Sequence, residues 1–363
     1  MKTLRSPYSS SVRGFSLVEI MVAMLIGMFG IIIMMQVFAL FEGNKRTTTS
    51  GGDAQNNGAI ALYGVQRDVR SAGYGLSAYN LLGCSLTRGG IVLTNSLSPM
   101  TINPPNIPAG DANTDTLLVI AGNSNNSTEG DTIVTQTSNT DLFMQAGVSF
   151  TVGDRVIALP KTRPAPCNMV LDTVNAIAAP TVTVATGAAG LATGSLIDLG
   201  PTPQVIAYAI RGGNLTLCDF MVNDCSAAAS VNDTTIWVPI ASNIVSLRAQ
   251  YGKDASAPMV GILDSYDQVT PSAAGGFTVN CAWVRVPAVR MALLARSTQY
   301  EKPDPTTNAP VTPNVLTWAG SASATPIAFD LSANAGWQNY RYNVLETTIP
   351  LRNMIWLGVQ TGC

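Results

Sequence analysis

The feature that most constrains this chain is Arg13-Gly14-Phe15-Ser16-Leu17-Val18-Glu19 and the apolar run that follows it, residues 20–41. Between Phe15 and Phe41 only Glu19 is ionisable and only Gln36 is strongly polar. A helix rises about 1.5 Å per residue, so about 27 residues reach roughly 40 Å, enough to cross a bilayer with some tilt. Met, Ile, Leu, Val and Phe dominate the run, and no Pro interrupts it. The stretch predicts one membrane-spanning helix over 15–41.

The leader is unusual for an exported protein. Residues 1–14 carry Lys2, Arg5 and Arg13 and no acid. A secretory signal has an apolar core of about 7–15 residues followed by a small-residue cleavage site. Here the apolar segment is too long, no A-x-A site follows it, and the small residue, Gly14, precedes it. Cleavage between Gly14 and Phe15 would remove the basic leader and leave the whole apolar helix on the mature protein.

Glu19 is the second anomaly. An unpaired acid costs several kcal/mol at the centre of an apolar helix and about 1 kcal/mol or less near the interface. Counted from Phe15, Glu19 is fifth, about one turn from the new terminal amine. Two readings stand. The carboxylate pairs with the terminal amine of a neighbouring copy, or it is an acid at the membrane edge, favoured by the positive helix N-terminus.

About 320 residues follow the membrane helix, enough for one large or two small globular units. Losing Lys2, Arg5 and Arg13 takes the formal charge from −2 to −5, and no basic patch is visible. Binding of nucleic acid by electrostatics gains no support. The chain has no histidine. That removes Ser-His-Asp and Cys-His catalysis and every His-containing metal site. No G-x-x-x-x-G-K-[ST] loop is present, so the chain is not an ATP-driven motor. These features speak against an enzyme and call for no cofactor.

Six cysteines, Cys84, Cys167, Cys218, Cys225, Cys281 and Cys363, contain no C-x-x-C pair. An even count in an exported domain suggests disulfides, with fifteen connectivities open. Cys218 and Cys225 flank a short Asp-rich turn, and a local bridge between them is the first expectation.

Beyond Phe41 the sequence turns polar. Lys45 and Arg46 follow the apolar run, but Lys2, Arg5 and Arg13 on the other flank outweigh them, which puts the C-terminal bulk outside the cytoplasm. Gly43, Gly51, Gly52 and Gly58 weaken a continuous helix here. Helical spacing then returns, with Ala61, Val65, Val69 and Ala72 on one face and Gly73 and Gly75 as a stop. From Cys84 onward short β-runs alternate with turns. Strands are expected at 116–121, 132–136, 155–159, 169–174, 181–185, 204–211, 214–219, 235–239, 244–251, 282–297 and 340–351. Arg211-Gly212-Gly213-Asn214 reads as a hairpin turn. Pro287 makes 282–297 either an edge strand or two pieces. Loops are expected at 99–115, 122–131, 252–276 and 302–313, the last holding Pro303, Pro305, Pro310 and Pro313.

Other constellations are weak. Asp111-x-Asn113-x-Asp115 has the spacing that opens a calcium loop, with Asn123, Asn125, Asn126, Glu129 and Asp131 nearby. The required Gly is replaced by Thr116 and the twelfth-position acid by Gly122, so it reads as a solvated turn cluster, and no metal site is assigned. Lys253 ends a strand-like run with no apolar pocket around it, and reads as a loop residue rather than a reactive amine. Trp237, Trp283, Trp318, Trp337 and Trp356 are too dispersed for a local stacking platform, and most are assigned to core packing.

The stretch RGFSLVEIMVAMLIGMFGIIIMM closely resembles the class III signal and first helix of type IV pilins and pseudopilins. The resemblance implies that a prepilin peptidase cuts after Gly14 and methylates the amine of Phe15, and that Glu19 registers subunits in the fibre. Narrower phrases are similar to the PilW family of minor pilins. They are ALYGVQRDVRSAGYG with a later Gly-Cys (61–84), FTVGDRVIAL (150–159), IASNIVSLRAQYGKD (240–254), VRVPAVRMALLARS (284–297) and YRYNVLETTIPLRN (340–353). Gly58 and Gly64 depart from a strong helix former in this region.

The expected fold is α+β and pilin-like: a long N-terminal membrane-spanning helix and a β-rich globular head, in one or two antiparallel sheets. The expected parts are a leader (1–14), a transmembrane helix (15–41), a periplasmic continuation of the helix (42–75) and the head (76–363). The resemblance implies a minor pilin held in the inner membrane with a periplasmic head, then carried to the pilus tip. Implied partners are the prepilin peptidase, other minor pilins, the major pilin, a tip adhesin and the inner-membrane assembly platform. The implied role is priming of assembly in support of twitching, adhesion or DNA uptake. Two alternatives are a minor pseudopilin of type II secretion and a membrane-anchored periplasmic binding protein or enzyme. The latter requires a convergent acidic or nucleophilic cluster, which the sequence does not offer.

Overall fold

Helix α1 (Leu17–Ser71) is continuous over 55 residues. It belongs to a computed structural model that describes residues 14–124, 126–127, 129–145, 149–273, 277–304, 306–318 and 327–363. Residues 1–13, most of the expected leader (1–14), with Lys2, Arg5 and Arg13, lie outside the described residues, as do Asn125 and Pro305. The chain divides into two units between Ser50 and Gly51.

In the first unit, α1 is long and apolar enough to cross a membrane. Its large apolar side chains between Phe15 and Phe41 are exposed, a surface for which lipid is the fitting solvent. Past the apolar run, local bonds support the helix. Arg46 pairs with Glu42 one turn back at 3.0 Å. Thr47 and Thr48 hydroxyls donate to the carbonyls of Gly43 and Asn44 at 3.1 and 2.9 Å. The expected weakening at Gly43, Gly51, Gly52 and Gly58 does not break the helix.

The second unit begins within α1. Ala61, Val65, Val69 and Ala72 form its buried stripe, as their spacing predicts. The helix stops at Ser71, and Gly73 and Gly75 follow with φ of +80° and +77°. Strands β1 (Ser85–Arg88), β2 (Ile91–Thr94), β3 (Met100–Ile102) and β4 (Leu117–Ala121) come next. They are followed by β5 (Asp131–Gln136), β6 (Asp141–Met144), β7 (Arg155–Leu159), β8 (Asn168–Val170), β9 (Asp172–Ala178), β10 (Thr181–Val184) and β11 (Ser195–Gly200). Then come β12 (Gln204–Arg211), β13 (Asn214–Asp219), β14 (Val238–Ser242), β15 (Ile244–Lys253) and β16 (Ser265–Asp267). A short helix α2 (Val279–Val284) precedes β17 (Ala288–Arg296), β18 (Leu316–Trp318), β19 (Ile327–Phe329), β20 (Tyr342–Pro350) and α3 (Arg352–Ile355).

Among the described residues these strands form four open sheets and a closed barrel. The central layer is a five-stranded sheet in the order β14-β13-β12-β4-β3. Alternation assigns the two faces of β4. Leu117 and Val119 join the core shared with α1, while Leu118 and Ile120 join the core on the other side. Strands β12 and β13 are the expected hairpin, with Arg211 opposite Asn214. Gly212 and Gly213 have φ of +57° and +71°, the left-handed pair that such a two-residue turn requires. A four-stranded antiparallel sheet, β16-β15-β17-β20, supplies most of the remaining wall of the α1 core. The barrel, β10-β6-β5-β11-β7-β9, is antiparallel throughout and has its own core of Ile133, Leu142, Phe150, Val156, Val182 and Leu196. A three-stranded sheet β2-β1-β8 contains a parallel pair, β1 with β8.

Several expected strands are corrected. The run 282–297 is two pieces, and the first belongs to α2, not to a strand. Pro287 has no N–H, and the chain turns there before entering β17, which lies at the middle of its sheet rather than at the edge. The run 169–174 divides between β8 and β9, which belong to different sheets. The strand expected at 235–239 starts later, at Val238. The expected loops 99–115 and 252–276 hold the short strands β3 and β16.

Candidate functional site

The N-terminal site is built from five residues. Gly14, Phe15 and Ser16 precede α1, and the Ser16 carbonyl accepts the Ile20 N–H at 3.2 Å. Leu17 opens the helix, so Glu19 falls in its first turn. That turn carries the unsatisfied N–H groups and the positive end of the helix dipole, a favourable setting for a carboxylate. Gly14 has no neighbouring heavy atom within 4 Å of where a Cβ would stand, and Phe15 is 78% exposed. The Glu19 carboxylate is exposed and has no hydrogen-bond or ion-pair partner among the described residues. Among the described residues, nothing packs against Gly14, and the Glu19 carboxylate faces solvent.

In the second unit, the end of α1 is fixed by polar contacts as well as by its apolar stripe. Tyr208 donates its hydroxyl to Asp68, and Arg67 Nε pairs with the same carboxylate at 2.9 Å. Burial and the bond to Asp68 both push the Tyr208 hydroxyl far above the ordinary tyrosine range. Gln66 Nε2 reaches Thr347 on β20 at 3.3 Å. Asn353 Nδ2 donates to the Ala72 carbonyl at 2.8 Å, beyond the last turn. Gly58 allows the closest approach. A Cβ there would lie 2.4 Å from Leu345 Cδ1 and 3.0 Å from Ala295 Cβ.

All six cysteines are bridged. Cys218 and Cys225 join across a separation of 7 residues, with Cα atoms 5.9 Å apart. Cys84 pairs with Cys167 and Cys281 with Cys363, at separations of 83 and 82. The short bridge has a sequence signal in its spacing; the two long ones have none, since only tertiary folding brings those partners together.

The remaining constellations do not converge. Asp111 accepts the N–H groups of Gly212 and Gly213 at 3.0 and 2.8 Å. Asn113 instead reaches Asp330 at 3.1 Å. Asp115 is buried and held by Arg248 at 3.0 Å and by the Ala249 N–H at 2.9 Å. The three side chains therefore serve three different partners. Among the described residues no group of three acidic or cysteine side chains is placed to hold a metal. Lys253 lies at the end of β15, not in a loop, and is occupied by Asp267 at 2.6 Å and the Val269 carbonyl at 2.7 Å. Trp237, Trp283 and Trp318 are buried, whereas Trp356 is 85% exposed.

Comparison with known proteins agrees with both ends of this picture. Residues 9–35 match the family model of the prokaryotic N-terminal methylation motif. With the apolar helix, this match points to the class of membrane-anchored pilins with a class III signal, which implies processing by prepilin peptidase and engagement with the pilus machinery. Residues 221–353 match the family model of the type IV pilus-assembly protein W. The two matches support a type IV minor pilin of the PilW family, acting in pilus assembly. The second match covers β14 to β20, including the phrases at 240–254, 284–297 and 340–353, while those at 61–84 and 150–159 lie outside it. Comparison with curated proteins and with solved structures gave no match. The matched families are structural and assembly proteins rather than enzymes.

Proposed function

We propose that this chain is a minor pilin inserted in the inner membrane through 15–41, with 76–363 as its periplasmic head and 42–75 as the connecting helix. Prepilin peptidase cuts between Gly14 and Phe15 and methylates the Phe15 amine. The mature protein then joins other minor pilins in a complex that primes the fibre and remains at its tip, next to the major pilin. There it supports a tip adhesin and so twitching, adhesion or DNA uptake. The role is structural, not catalytic.

The observation that carries this reading is Glu19, one turn from Phe15 at the start of an exposed apolar helix and with no partner among the described residues. A carboxylate in the dry core of a helix bundle is costly alone and much less so beside a cation. The terminal amine of a neighbouring subunit is a cation at the right depth. A type II secretion pseudopilin would share this N-terminus, but the match over 221–353 favours the pilus.

The test is intact-mass analysis of membrane-extracted protein. The reading expects loss of residues 1–14 and the mass of one added methyl group. It expects Gly14→Val to retain the leader and to be absent from sheared pili, because a Cβ branch at the cut site blocks the peptidase. A Gly14→Val protein of normal mature mass, present in pili, overturns it.

A further inference from the structure

An open groove of about 760 Å³ lies in the second unit, within the size range of small-molecule sites. Its sides come from the segment after α1, from the rim of the barrel and from the C-terminal segment. Tyr79 donates to the sulfur of Cys363 at 3.1 Å, and Asn353 holds the Ala72 carbonyl at 2.8 Å. The Cys281–Cys363 bridge fixes the same C-terminal segment to α2. The walls are therefore set before any ligand arrives, which lowers the ordering cost of binding.

The polar groups lining the groove are a different set. Tyr74, Ser77, Asn80, Glu129 and Ser195 all line it, and none of their side chains has a hydrogen-bond partner within the described chain. Four are neutral, and together they offer donors and acceptors in mixture. At the rim stands Trp356, the most exposed large apolar residue among the described residues, with 85% of its surface in solvent. Trp356 thus presents an indole face to solvent beside a groove whose lining hydroxyl and amide groups are free to bond a ligand.

We propose that this groove binds a neutral saccharide chain. Trp356 supplies a flat face on which a sugar ring stacks. The amide and hydroxyl groups, with the Glu129 carboxylate, exchange hydrogen bonds with a row of sugar hydroxyls, each of which both donates and accepts. Charge sets the class. Glu129 is the lone formal charge among the lining residues and is negative, so polyanionic glycans and nucleic acids are disfavoured. An apolar peptide anchor finds little floor here, since Ala78, Leu159 and Leu357 are the only aliphatic lining residues. The inference goes beyond fibre assembly and does not rest on the place of the chain in a fibre.

The test uses the full chain in a detergent without a sugar headgroup. Hexasaccharides of β-1,4-linked glucose and of N-acetylglucosamine are titrated by calorimetry, beside a polyuronate of similar length. The same neutral sugars carried on glycolipid vesicles tell a free chain from a surface-tethered one, and binding in either arm supports the proposal. The expected result is binding of at least one neutral sugar, weakened about tenfold or more in Trp356→Ala, a loss of about 1.4 kcal/mol. Asn80→Ala should weaken it as well, with the thermal midpoint of both variants unchanged. No binding of any neutral sugar overturns the proposal, as does tighter binding of the polyuronate. Binding that survives in both variants also overturns it, by placing the site elsewhere.

Discussion

The hydroxyl of Tyr208 on β12 donates to Asp68 Oδ2 at 2.5 Å, joining two residues 140 positions apart. Asp68 is 4% exposed, on the last turns of α1, and Tyr208 is 1% exposed, in the central sheet. This bond ties the helix to the sheet at a depth where an unpaired polar group is expensive. Tyr208→Phe leaves Asp68 Oδ2 buried without that donor, so the loss should be about 1–3 kcal/mol. Chemical denaturation of the full chain in detergent, followed by near-ultraviolet circular dichroism, measures it. The sign with pH follows from the raised pKa of Tyr208. Above about pH 10 the unfolded tyrosine loses its proton while the folded one keeps it, so wild-type stability falls as pH rises. The phenylalanine variant should lack that part of the alkaline slope. Equal stability and equal slopes would show the bond to be incidental.

Gly58 and Gly64 sit on the same helix but should respond to alanine with opposite signs. The space at Gly58 is filled by Leu345 and Ala295, and only the first is the end of a flexible side chain. Gly58→Ala should therefore destabilise by about 1–3 kcal/mol through overpacking. Gly64 has no heavy atom within 4 Å of where a Cβ would stand. Gly64→Ala should stabilise by about 0.5–1 kcal/mol, the ordinary gain in helix propensity. Thermal midpoints of the two single variants decide the matter, and a shift of the same sign in both would refute this account of the helix–sheet contact.

The same two residues show what the sequence can and cannot disclose. Propensity registers both glycines as helix weakeners. It cannot tell that one of them is the place where α1 meets β17 and β20, because that depends on a sheet assembled from residues 288–350. The apolar face at Ala61, Val65, Val69 and Ala72 was legible, since a local period of 3.6 reports it directly. So was the turn at Gly212-Gly213, where the backbone admits few residues. The barrel was not. Its short strands alternate as any half-buried strand does, and closure rests on pairings such as β11 with β5, Ser195 opposite Thr132, which no local pattern encodes. At the N-terminal site the reverse holds. Gly14, Phe15 and Glu19 are close in sequence, so their arrangement needs only a helix start. The groove beside Trp356 draws on residues 74–360 and has no sequence signal.

Asp254 gives an acid-side prediction. It is 1% exposed, and its carboxylate accepts the N–H groups of Ser256, Val260 and Gly261 at 3.0, 2.8 and 2.6 Å. Burial pushes its pKa up, but the three N–H groups and nearby Arg285 outweigh burial and hold it below the usual carboxylate range. A depressed value means that the stabilisation is complete above about pH 4 and is lost as pH falls through the folded-state value. Asp254→Asn should cost about 1–3 kcal/mol at neutral pH, and the gap to wild type should close in acid. Thermal unfolding from about pH 7 to about pH 2 tests this. A gap that stays constant across the range would assign the loss to packing rather than to charge.

Glu19 offers the sharpest test of the proposed assembly. It stands in the first turn of α1, with its carboxylate exposed and free of partners among the described residues. Near a membrane interface such an acid costs about 1 kcal/mol or less, so removing it should leave insertion unchanged. Between apolar helices in a fibre, water is scarce, and the same carboxylate needs a cation beside it. In the proposed assembly, the methylated amine of Phe15 on a neighbouring subunit, at the end of its own helix, would fill that role when two helices are staggered by about one turn. A pair of this kind contributes more to the choice of register than to net stability. Glu19→Ala should therefore keep membrane insertion, processing at Gly14 and a folded head, yet lower recovery of the protein in sheared pili. Glu19→Gln should fall between, since it still accepts a hydrogen bond but carries no charge. Immunoblots of sheared pili beside membrane fractions compare the three proteins. Equal recovery of all three would leave Glu19 as an acid that the positive end of the helix merely tolerates, with no part in register.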